Sequence, residues 1–460
     1  MSERYDLCVI GAGSAGFAAA EAARALGKRT LLVSGPGDLG GTCILRGCMP
    51  AKALLSSTER LGEIETAGAL GVQAGNAHVD LPALIARKRE LVDYFAEDRA
   101  EELESFPLAR GSARFIARDA IVVEDRRIEA ERFVIATGST IAPPPIQGLA
   151  ECGYFTSDGA LEITRAPRTL AIVGAGPVGC EFAQYFARLG TRVTLFQREP
   201  DILRNEDADL ARVVAVALRA DGIDLRTDTE IRRCTKDGGE CALVASTGGR
   251  TFETRVEQIM LASERIPQVA NLALDVAGVA TRNGAVAVDR FLRTTNDAIF
   301  AAGDVIGRRN LVHVAVYGGN LAASNAFAGE PAGADFDRYE AHAVYTQPQI
   351  GVAGLTELLC RARGLAVRVR THSFRDIGEA LVSDSAEGFV KMIVGPDDRI
   401  VGVAIVGDGA IDLIGEAIAL IDAGRTTRQV AEMPHLHPTM GEIYALVAEG
   451  FATPQTSCAS

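Results

Sequence analysis

The chain has 460 residues, 48% of them apolar and 23% charged, and its formal net charge of −13 is spread along the sequence rather than collected in blocks. This length predicts two to four domains, and the dispersed negative charge argues against a surface for nucleic acid or anionic membranes. No apolar run reaches membrane-spanning length and no cleavable leader is recognisable, so we expect a cytoplasmic protein with small molecules or other proteins as partners.

The clearest pattern in chain order is an internal duplication. The stretch 8–34, "CVIGAGSAGFAAAEAARALGKRTLLVS", resembles 171–197, "AIVGAGPVGCEFAQYFARLGTRVTLFQ", and each copy predicts a strand, a GxGxxG turn, a helix and a second strand. The first glycine permits the tight turn, the second lets the backbone approach a pyrophosphate, and the third lets the helix pack on the strand. We therefore expect two dinucleotides, with phosphates at the helix N-termini. The glycines are Gly11, Gly13 and Gly16 in the first copy and Gly174, Gly176 and Gly179 in the second.

A close cysteine pair follows the first copy, in "GGTCILRGCMPAK" at 40–52. On a regular helix Cys43 and Cys48 would lie on different faces, farther apart than the roughly 4.4–6.8 Å between Cα atoms that a disulfide needs, so pairing requires a distorted segment. Gly47 permits the distortion, and Pro50 suits the first turn of a helix, where the Cys48 thiolate would be stabilised.

Other roles for this pair fit less well. A disulfide that closes so short a loop constrains the unfolded chain only modestly, which makes it a poor structural staple. A zinc site would need two more ligands, and the other cysteines supply no second close pair. A redox couple is therefore favoured, and no metal ligands are assigned. The remaining cysteines are interpreted as small buried or incidental residues; they are Cys8, Cys152, Cys180, Cys234, Cys241 and Cys360.

The motifs "GGTCxxxGCxPxK", two dinucleotide fingerprints, "ATG", "IFAAGD" and "HLHPTMGE" occur in this order. The set resembles the class I pyridine nucleotide–disulfide oxidoreductases, to which dihydrolipoamide dehydrogenase, glutathione reductase and mercuric reductase belong. The resemblance runs from Tyr5 to about Gly450. It implies an α/β fold with two Rossmann-like dinucleotide-binding domains, for FAD and NAD(P), and a C-terminal α+β dimerisation domain.

The resemblance and the change in composition along the chain together predict the domain boundaries. The proline-rich "IAPPPIQGL" after 133–139 reads as a domain junction, and mixed strands and helices begin near residue 340. We predict an FAD-binding domain formed by 1–147 and 269–338, an NAD(P)-binding domain at 148–268 and a dimerisation domain at 339–460.

The resemblance also implies catalytic roles. Cys48 would lie next to the flavin, and Cys43 would exchange with substrate. His437 would act as the base that accepts a thiol proton, with Glu442 as its orienting carboxylate, and in the family this histidine comes from the other subunit. A homodimer is therefore expected. His435 is interpreted as a structural neighbour.

Cofactor contacts are implied residue by residue. Lys52 would pair with Glu181 near the flavin, and Asp304 would contact the FAD ribitol. The predicted FAD-binding residues are Gly11, Gly13, Ser14, Gly16, Ser34, Gly41, Thr42, Lys52, Thr137, Gly138 and Asp304. The predicted nicotinamide-nucleotide residues are Gly174, Gly176, Gly179, Gln197, Arg198 and Arg204.

The chain departs from the usual pattern at the end of the second strand of each copy. An acidic residue normally binds a ribose there, but the aligned positions hold Ser34 and Gln197. Arg198 follows at once and Arg204 lies six residues farther on, and guanidinium groups suit bidentate phosphate contacts. The sequence therefore favours NADPH over NADH.

For the substrate, the histidine motif is most similar to that of dihydrolipoamide dehydrogenase, so a lipoamide-type dithiol, free or on a lipoyl domain, is predicted. Glu21 stands where glutathione reductase uses an arginine, and the tail carries only Cys458 where mercuric reductase has a vicinal pair. Arg46 lies in an unusual motif interior, so two alternatives stay open. They are a specialised disulfide or metal-ion reductase, and a flavin electron-transfer reductase that makes little use of the cysteines.

Overall fold

A computed structural model describes residues 3–452, which leaves Cys458 outside the described residues. Strands and helices alternate along much of the chain, which confirms the predicted mixed α/β class. The strands are β1 (Glu3–Ile10), β2 (Thr30–Ser34), β3 (Leu108–Arg110), β4 (Ala113–Ala117), β5 (Ala120–Val123), β6 (Arg126–Ile135), β7 (Ser139–Ile141), β8 (Phe155–Thr156), β9 (Thr169–Val173), β10 (Arg192–Phe196), β11 (Asp224–Arg226), β12 (Thr229–Asp237), β13 (Glu240–Thr247), β14 (Arg250–Val256), β15 (Gln258–Leu261), β16 (Arg265–Pro267), β17 (Thr281–Arg282), β18 (Ala285–Val286), β19 (Ile299–Ala301), β20 (Ala341–Val344), β21 (Gln349–Gly354), β22 (Arg368–Ser373), β23 (Phe389–Val394) and β24 (Ile400–Gly407).

The α-helices are α1 (Ser14–Ala25), α2 (Gly41–Arg46), α3 (Cys48–Thr66), α4 (Leu81–Glu104), α5 (Leu149–Cys152), α6 (Ser157–Ala160), α7 (Pro177–Arg188), α8 (Ala208–Ala220), α9 (Val312–Phe327), α10 (Glu357–Ala362), α11 (Gly378–Val382), α12 (Ala410–Asp422), α13 (Thr427–Ala431) and α14 (Ile443–Glu449). Short 3₁₀ turns lie at Ala67–Leu70, Asp304–Ile306, Asp337–Tyr339, Phe374–Asp376 and Met440–Glu442. Among the helices of residues 3–452, none combines the length and the apolar character that a membrane crossing requires.

The chain divides into two compact units, each made of separate stretches of sequence. Unit 1 contains the described residues up to Ala53, then Ile85–Pro144 and Ser263–Phe336. Unit 2 contains Leu54–Leu84, Pro145–Ala262 and the described residues from Asp337 onward. The finer division into four domain segments stays a prediction.

Unit 1 is organised around a sheet in the order β3-β2-β1-β6-β5-β4, with β19 also paired to β6. The central strands are parallel, with Val9 opposite Leu32 of β2 and Val134 of β6. Every residue of β2 is buried, as expected for a parallel strand covered on both faces. Helix α9 packs closely on α1, because a side chain at Gly319 would overlap the backbone oxygen of Ala15. The sheet and these helices hold the first GxGxxG turn.

Unit 2 contains three sheets. A parallel sheet in the order β11-β10-β9-β15-β8 carries the second GxGxxG turn, and an antiparallel sheet β12-β13-β14 packs into the same apolar cluster. A five-stranded antiparallel sheet, β20-β21-β24-β23-β22, packs with α12, α13 and α14 in a separate cluster around Phe374 and Tyr444. This last layer carries the histidine motif.

Candidate functional site

The first dinucleotide fingerprint forms the predicted strand–turn–helix unit, β1–α1–β2. Gly11 has φ +112°, a backbone conformation that residues with a side chain rarely adopt, and its N–H donates to Val33 O at 2.8 Å. A side chain at Gly16 would overlap Gly11 O, so glycine is required where the helix crosses the turn. A Cβ at Gly13 would meet nothing within 4 Å among residues 3–452, and α1 begins at Ser14 without a side-chain cap. The uncapped N–H groups therefore border a space that suits a phosphate.

Other predicted FAD-binding residues lie near this turn in unit 1. A Cβ on Gly41 would lie 2.8 Å from Gly13 Cα, so the start of α2 lies against the fingerprint. Ser34 ends β2 and is buried, while Thr42 is exposed on the first turn of α2. The Thr137 hydroxyl donates to Gln268 O at 2.7 Å, and Gly138 has φ +74°.

Asp304 belongs to a polar network that the sequence analysis missed. The Ser139 hydroxyl donates to Asp304 Oδ2 at 2.6 Å, and Arg265 Nε donates to Ser139 Oγ at 2.9 Å. Arg265 also donates to Ser139 O at 2.8 Å. The arginine thus orients the serine, and the serine orients the carboxylate. The available signal was the position of Ser139, directly after the "ATG" motif.

The two cysteines of the opening motif lie together at a break between helices. Helix α2 ends at Arg46, α3 begins at Cys48, and the intervening Gly47 packs so tightly that a Cβ would lie 2.9 Å from Thr42 O. The predicted distortion and the position of Cys48 at a helix N-terminus are confirmed. The half-buried Cys43 thiol is within hydrogen-bonding distance of the exposed Cys48 thiol, and this contact, followed by burial, raises the pKa of Cys43 well above its ordinary value.

The second fingerprint repeats the geometry of the first in β9–α7–β10. Gly174 has φ +104° and donates its N–H to Phe196 O at 2.9 Å, and a side chain at Gly179 would overlap Gly174 O. A Cβ at Gly176 would meet nothing within 4 Å in the described part of the chain, and Pro177 opens α7. Both copies therefore carry the same backbone arrangement for a pyrophosphate.

The strand end after this fingerprint carries a network around Glu199. Gln197 is buried, and its Oε1 accepts the Ala175 N–H at 3.0 Å while its Nε2 donates to Glu199 Oε2 at 2.9 Å. Arg198 Nη2 and Arg204 Nη1 both lie near Glu199 Oε1, at 3.1 and 3.4 Å.

The charge state of Glu199 follows from this network. Desolvation acts to raise its pKa, but the hydrogen bond from Arg198, a hydrogen bond from the backbone N–H of Glu199 itself and the charges of both arginines together outweigh it, so the pKa lies below its ordinary value. Sequence reasoning selected Gln197, Arg198 and Arg204 and missed this acidic residue two positions beyond the strand-end site.

Lys52 belongs to unit 1 and Glu181 belongs to unit 2. Lys52 is half-buried near the start of α3. Glu181 is buried on α7, and its Oε1 accepts the Tyr345 N–H at 2.9 Å. Their mutual pairing stays a prediction.

The histidine motif contains two differently held imidazoles. His437 is 77% exposed, its Nδ1 lies 2.8 Å from Glu442 Oε1, and its Nε2 has no hydrogen-bond partner among residues 3–452. Glu442 is fixed by a capping box with Thr439, in the sequence "TMGE". The hydrogen bond with His437 lowers the pKa of Glu442, assisted by the Thr439 N–H. This geometry leaves Nε2 available to accept a proton.

His435 is held at both ring nitrogens instead. Its Nδ1 lies 3.1 Å from Met433 O and its Nε2 lies 2.9 Å from Glu416 Oε1, with only 9% of the side chain exposed. Neither nitrogen is available to a ligand in this arrangement. Within the described residues no group of three or more His, Cys, Asp or Glu side chains is arranged to hold a metal ion.

Comparison with known proteins agrees with this arrangement. Residues 5–319 match the family described as pyridine nucleotide-disulphide oxidoreductase, and residues 341–448 match the dimerisation domain of that family. A mercuric reductase of Streptomyces lividans is 35% identical over an alignment of 461 residues. The alignment covers 98% of this chain and 96% of that protein. A dihydrolipoyl dehydrogenase of Bacillus subtilis is 33% identical over 448 residues, which cover 95% of this chain and 96% of that protein.

A solved structure is similar over nearly the whole chain. It is the Cu(II) complex of the HOCl-induced flavoprotein disulfide reductase RclA from Escherichia coli, with a TM-score of 0.85 and 27% identity over 97% of this chain and 99% of that chain. The protein therefore belongs to the pyridine nucleotide–disulfide oxidoreductase family of enzymes, which use FAD and NAD(P)H. The expected family and fold, with two dinucleotide-binding domains and a dimerisation domain, are confirmed.

Proposed function

We propose that this enzyme relays electrons between NAD(P)H, FAD, the Cys43–Cys48 couple and a substrate dithiol or disulfide, with a lipoamide-type dithiol as the leading substrate. The observation that carries the proposal is the contact between the Cys43 and Cys48 thiols at the helix break. A short loop closed at glycine, with one thiol at a helix N-terminus, suits a disulfide that opens and closes reversibly.

The chain's own residues account for the thiol chemistry. During dithiol oxidation, Nε2 of His437 of the partner subunit takes the proton from a substrate thiol, and the thiolate attacks Cys43 Sγ. The Cys43–Cys48 bond breaks, and the electron pair leaves on Cys48. The second substrate thiol then attacks the first substrate sulfur while its proton passes to Cys43, so the substrate disulfide forms, the mixed disulfide breaks and Cys43 is released as a thiol. Glu442 holds the Nδ1–H of His437 throughout.

The residues of unit 1 suit FAD. The open space beside Gly13, the uncapped start of α1 and the close approach of Gly41 leave backbone N–H groups for a pyrophosphate, and Ser139 orients Asp304 as a hydroxyl acceptor. FAD, when bound, supplies the two-electron exchange between the nicotinamide and the protein thiols. Lys52 and Glu181 are proposed as the charged pair beside it.

NADPH is proposed as the favoured nicotinamide nucleotide. The second fingerprint also supplies a helix start without a side-chain cap for the pyrophosphate, and Arg198 and Arg204 lie at the adjacent strand end. Guanidinium groups bind phosphate in a bidentate manner, which supports a site for the 2′-phosphate.

The proposed assembly is a homodimer, in the cytoplasm, in which each subunit supplies His437 to the other's cysteine pair. The match of residues 341–448 to a dimerisation domain supports it. The exposed position of His437 supports it too, because an exposed imidazole with one fixed nitrogen can be completed by a second chain. The four-segment domain division is part of this proposal.

A substrate panel tests the proposal. Purified holoenzyme would be assayed with NADH and NADPH against lipoamide, glutathione disulfide, small disulfides and Hg(II). We expect lipoamide turnover that disappears in Cys43→Ser while flavin is retained. Cys360→Ala is the matched control, because Cys360 is a buried thiol outside the couple and its loss should leave turnover intact. Failure of every disulfide substrate would contradict the proposal.

Metal-ion reduction is the second candidate, favoured by the 35% identity to a mercuric reductase over nearly the whole chain. The same panel separates the candidates. Turnover of Hg(II) without turnover of any disulfide would favour metal-ion reduction, whereas activity that survives Cys43→Ser would favour direct electron transfer from flavin.

A further inference from the structure

We infer that Glu199 opposes the binding of NADPH relative to NADH, because its carboxylate is bound by the two guanidinium groups that a 2′-phosphate would need. The inference rests on the proposed nicotinamide site in the second βαβ motif and adds a residue that acts against the predicted NADPH preference. Its basis is the network at the end of β10.

Glu199 is held by three donors on two sides. Its Oε1 accepts from Arg198 Nη2 at 3.1 Å and lies 3.4 Å from Arg204 Nη1. Its Oε2 accepts from Gln197 Nε2 at 2.9 Å. The carboxylate therefore uses the same donors that would bind a phosphate, and it neutralises part of their charge.

Gln197 is not available to bind the ribose in place of Glu199. This side chain is buried, and its Oε1 accepts the N–H of Ala175 inside the fingerprint turn. Turning it toward a ribose would leave a buried N–H unpaired, which is unfavourable. The acidic group that normally binds a ribose hydroxyl at this strand end is therefore supplied two residues later, by Glu199.

The two nucleotides place opposite demands on this carboxylate. The 2′-hydroxyl of NADH can donate to Glu199, so the network stays intact. The 2′-phosphate of NADPH must instead take Arg198 and Arg204 from Glu199 or lie beside a like charge, which weakens its binding. Arg198 and Arg204 are 74% and 49% exposed, so both can turn toward a ligand once the carboxylate charge is removed.

The test measures nucleotide binding rather than turnover. Adenosine 2′,5′-bisphosphate and 5′-AMP would be titrated calorimetrically into flavin-loaded wild type, Glu199→Gln, Glu199→Asp and Glu253→Gln. We expect Glu199→Gln to bind the bisphosphate about tenfold more tightly and 5′-AMP no more tightly, since one repelling charge is lost. Glu253→Gln is the matched control, because Glu253 likewise pairs with a nearby arginine, Arg255 on β14, but lies outside the second fingerprint.

Each outcome decides a different question. Glu199→Asp keeps the charge and should resemble wild type, so equal gains in Glu199→Asp and Glu199→Gln would overturn the role of charge. Binding that is unchanged in Glu199→Gln, or changed equally for both nucleotides, would overturn the inference while leaving the proposed function intact. Failure of the wild type to bind either nucleotide would overturn the proposed nicotinamide site, and this inference with it.

Discussion

At the turn after the first strand, the two βαβ motifs place glycine in nearly the same conformation, with φ of +112° at Gly11 and +104° at Gly174. Five residues later, Gly16 and Gly179 each lie so close to the carbonyl oxygen of that first glycine that a side chain would overlap it. The backbone half of dinucleotide recognition is therefore the same in both copies.

The ends of the second strands differ. In the first motif Ser34 ends β2, and among the described residues no side chain bonds to its hydroxyl. In the second motif Gln197 bonds the fingerprint turn and Glu199 binds two arginines. A duplicated backbone can thus keep its phosphate-binding turn, which depends on glycine, while the side chains that select between nucleotides diverge.

The largest expected effect tests the shared backbone. We expect Gly16→Ala and Gly179→Ala each to lower the free energy of unfolding by about 3 kcal/mol, because the added Cβ must push a helix away from its turn. Thermal unfolding followed by circular dichroism would measure this. Gly415→Ala on α12 is the control, since a Cβ there meets no described atom within 4 Å and alanine favours a helix. An unchanged free energy of unfolding in either fingerprint variant would contradict the conclusion that both turns require glycine.

The second glycine of each motif should separate folding from binding. Gly13 and Gly176 have φ of −78° and −75°, which alanine adopts readily, and a Cβ would enter space free of described atoms. We therefore expect Gly13→Ala and Gly176→Ala to fold normally.

Their ligand binding should differ. Gly13→Ala should lose flavin, whereas Gly176→Ala should keep its flavin and bind nicotinamide nucleotides about tenfold or more weakly, because the methyl group blocks the close approach of a pyrophosphate. Flavin absorbance and nucleotide calorimetry would measure both. Loss of flavin from Gly176→Ala would show that the two motifs are not independent.

The sequence predicted the parts that depend on local geometry. The glycine spacing predicted both turns, and Gly47 with Pro50 predicted the break that brings Cys43 to Cys48. Each of these features is decided by residues within a few positions of one another, so a pattern of residue types is sufficient.

Contacts between distant segments were not predictable in the same way. Arg265 donates to Ser139 from 126 residues away along the chain, and Ser139 donates to Asp304, which lies 165 residues away. Lys391 is buried on β23, where it contacts Asp207, Asp209 and Glu357. A charged side chain in the sequence normally predicts an exposed position, and only the fold supplies the carboxylates that compensate it.

A smaller effect tests the divergent strand ends. Gln197→Ala removes the acceptor of the buried Ala175 N–H, so we expect the free energy of unfolding to fall by about 1–3 kcal/mol. Ser34→Ala should change it by less than about 0.5 kcal/mol, because no described side chain bonds to the hydroxyl. Thermal unfolding of the two variants in parallel measures the difference. Equal effects would mean that the first motif also depends on its strand-end side chain.

The smallest effect concerns pH and belongs to the second motif alone. Although desolvation opposes it, the hydrogen bond from Arg198 and the charges of Arg198 and Arg204 hold the pKa of Glu199 below its ordinary value. A lowered pKa in the folded state means that the ion pair stabilises the protein fully above the ordinary carboxylate pKa, and that this contribution is lost as the pH falls through the folded-state pKa. Because the arginines are exposed, the contribution should stay below about 1 kcal/mol.

Two measurements check this prediction. The free energies of unfolding of wild type and Glu199→Gln, compared from neutral to acidic pH, should show a difference that narrows only in acid. Titration of the Glu199 carboxyl carbon by NMR should give a pKa that rises in Arg198→Gln, and a pKa unaffected by that substitution would remove Arg198 as its cause.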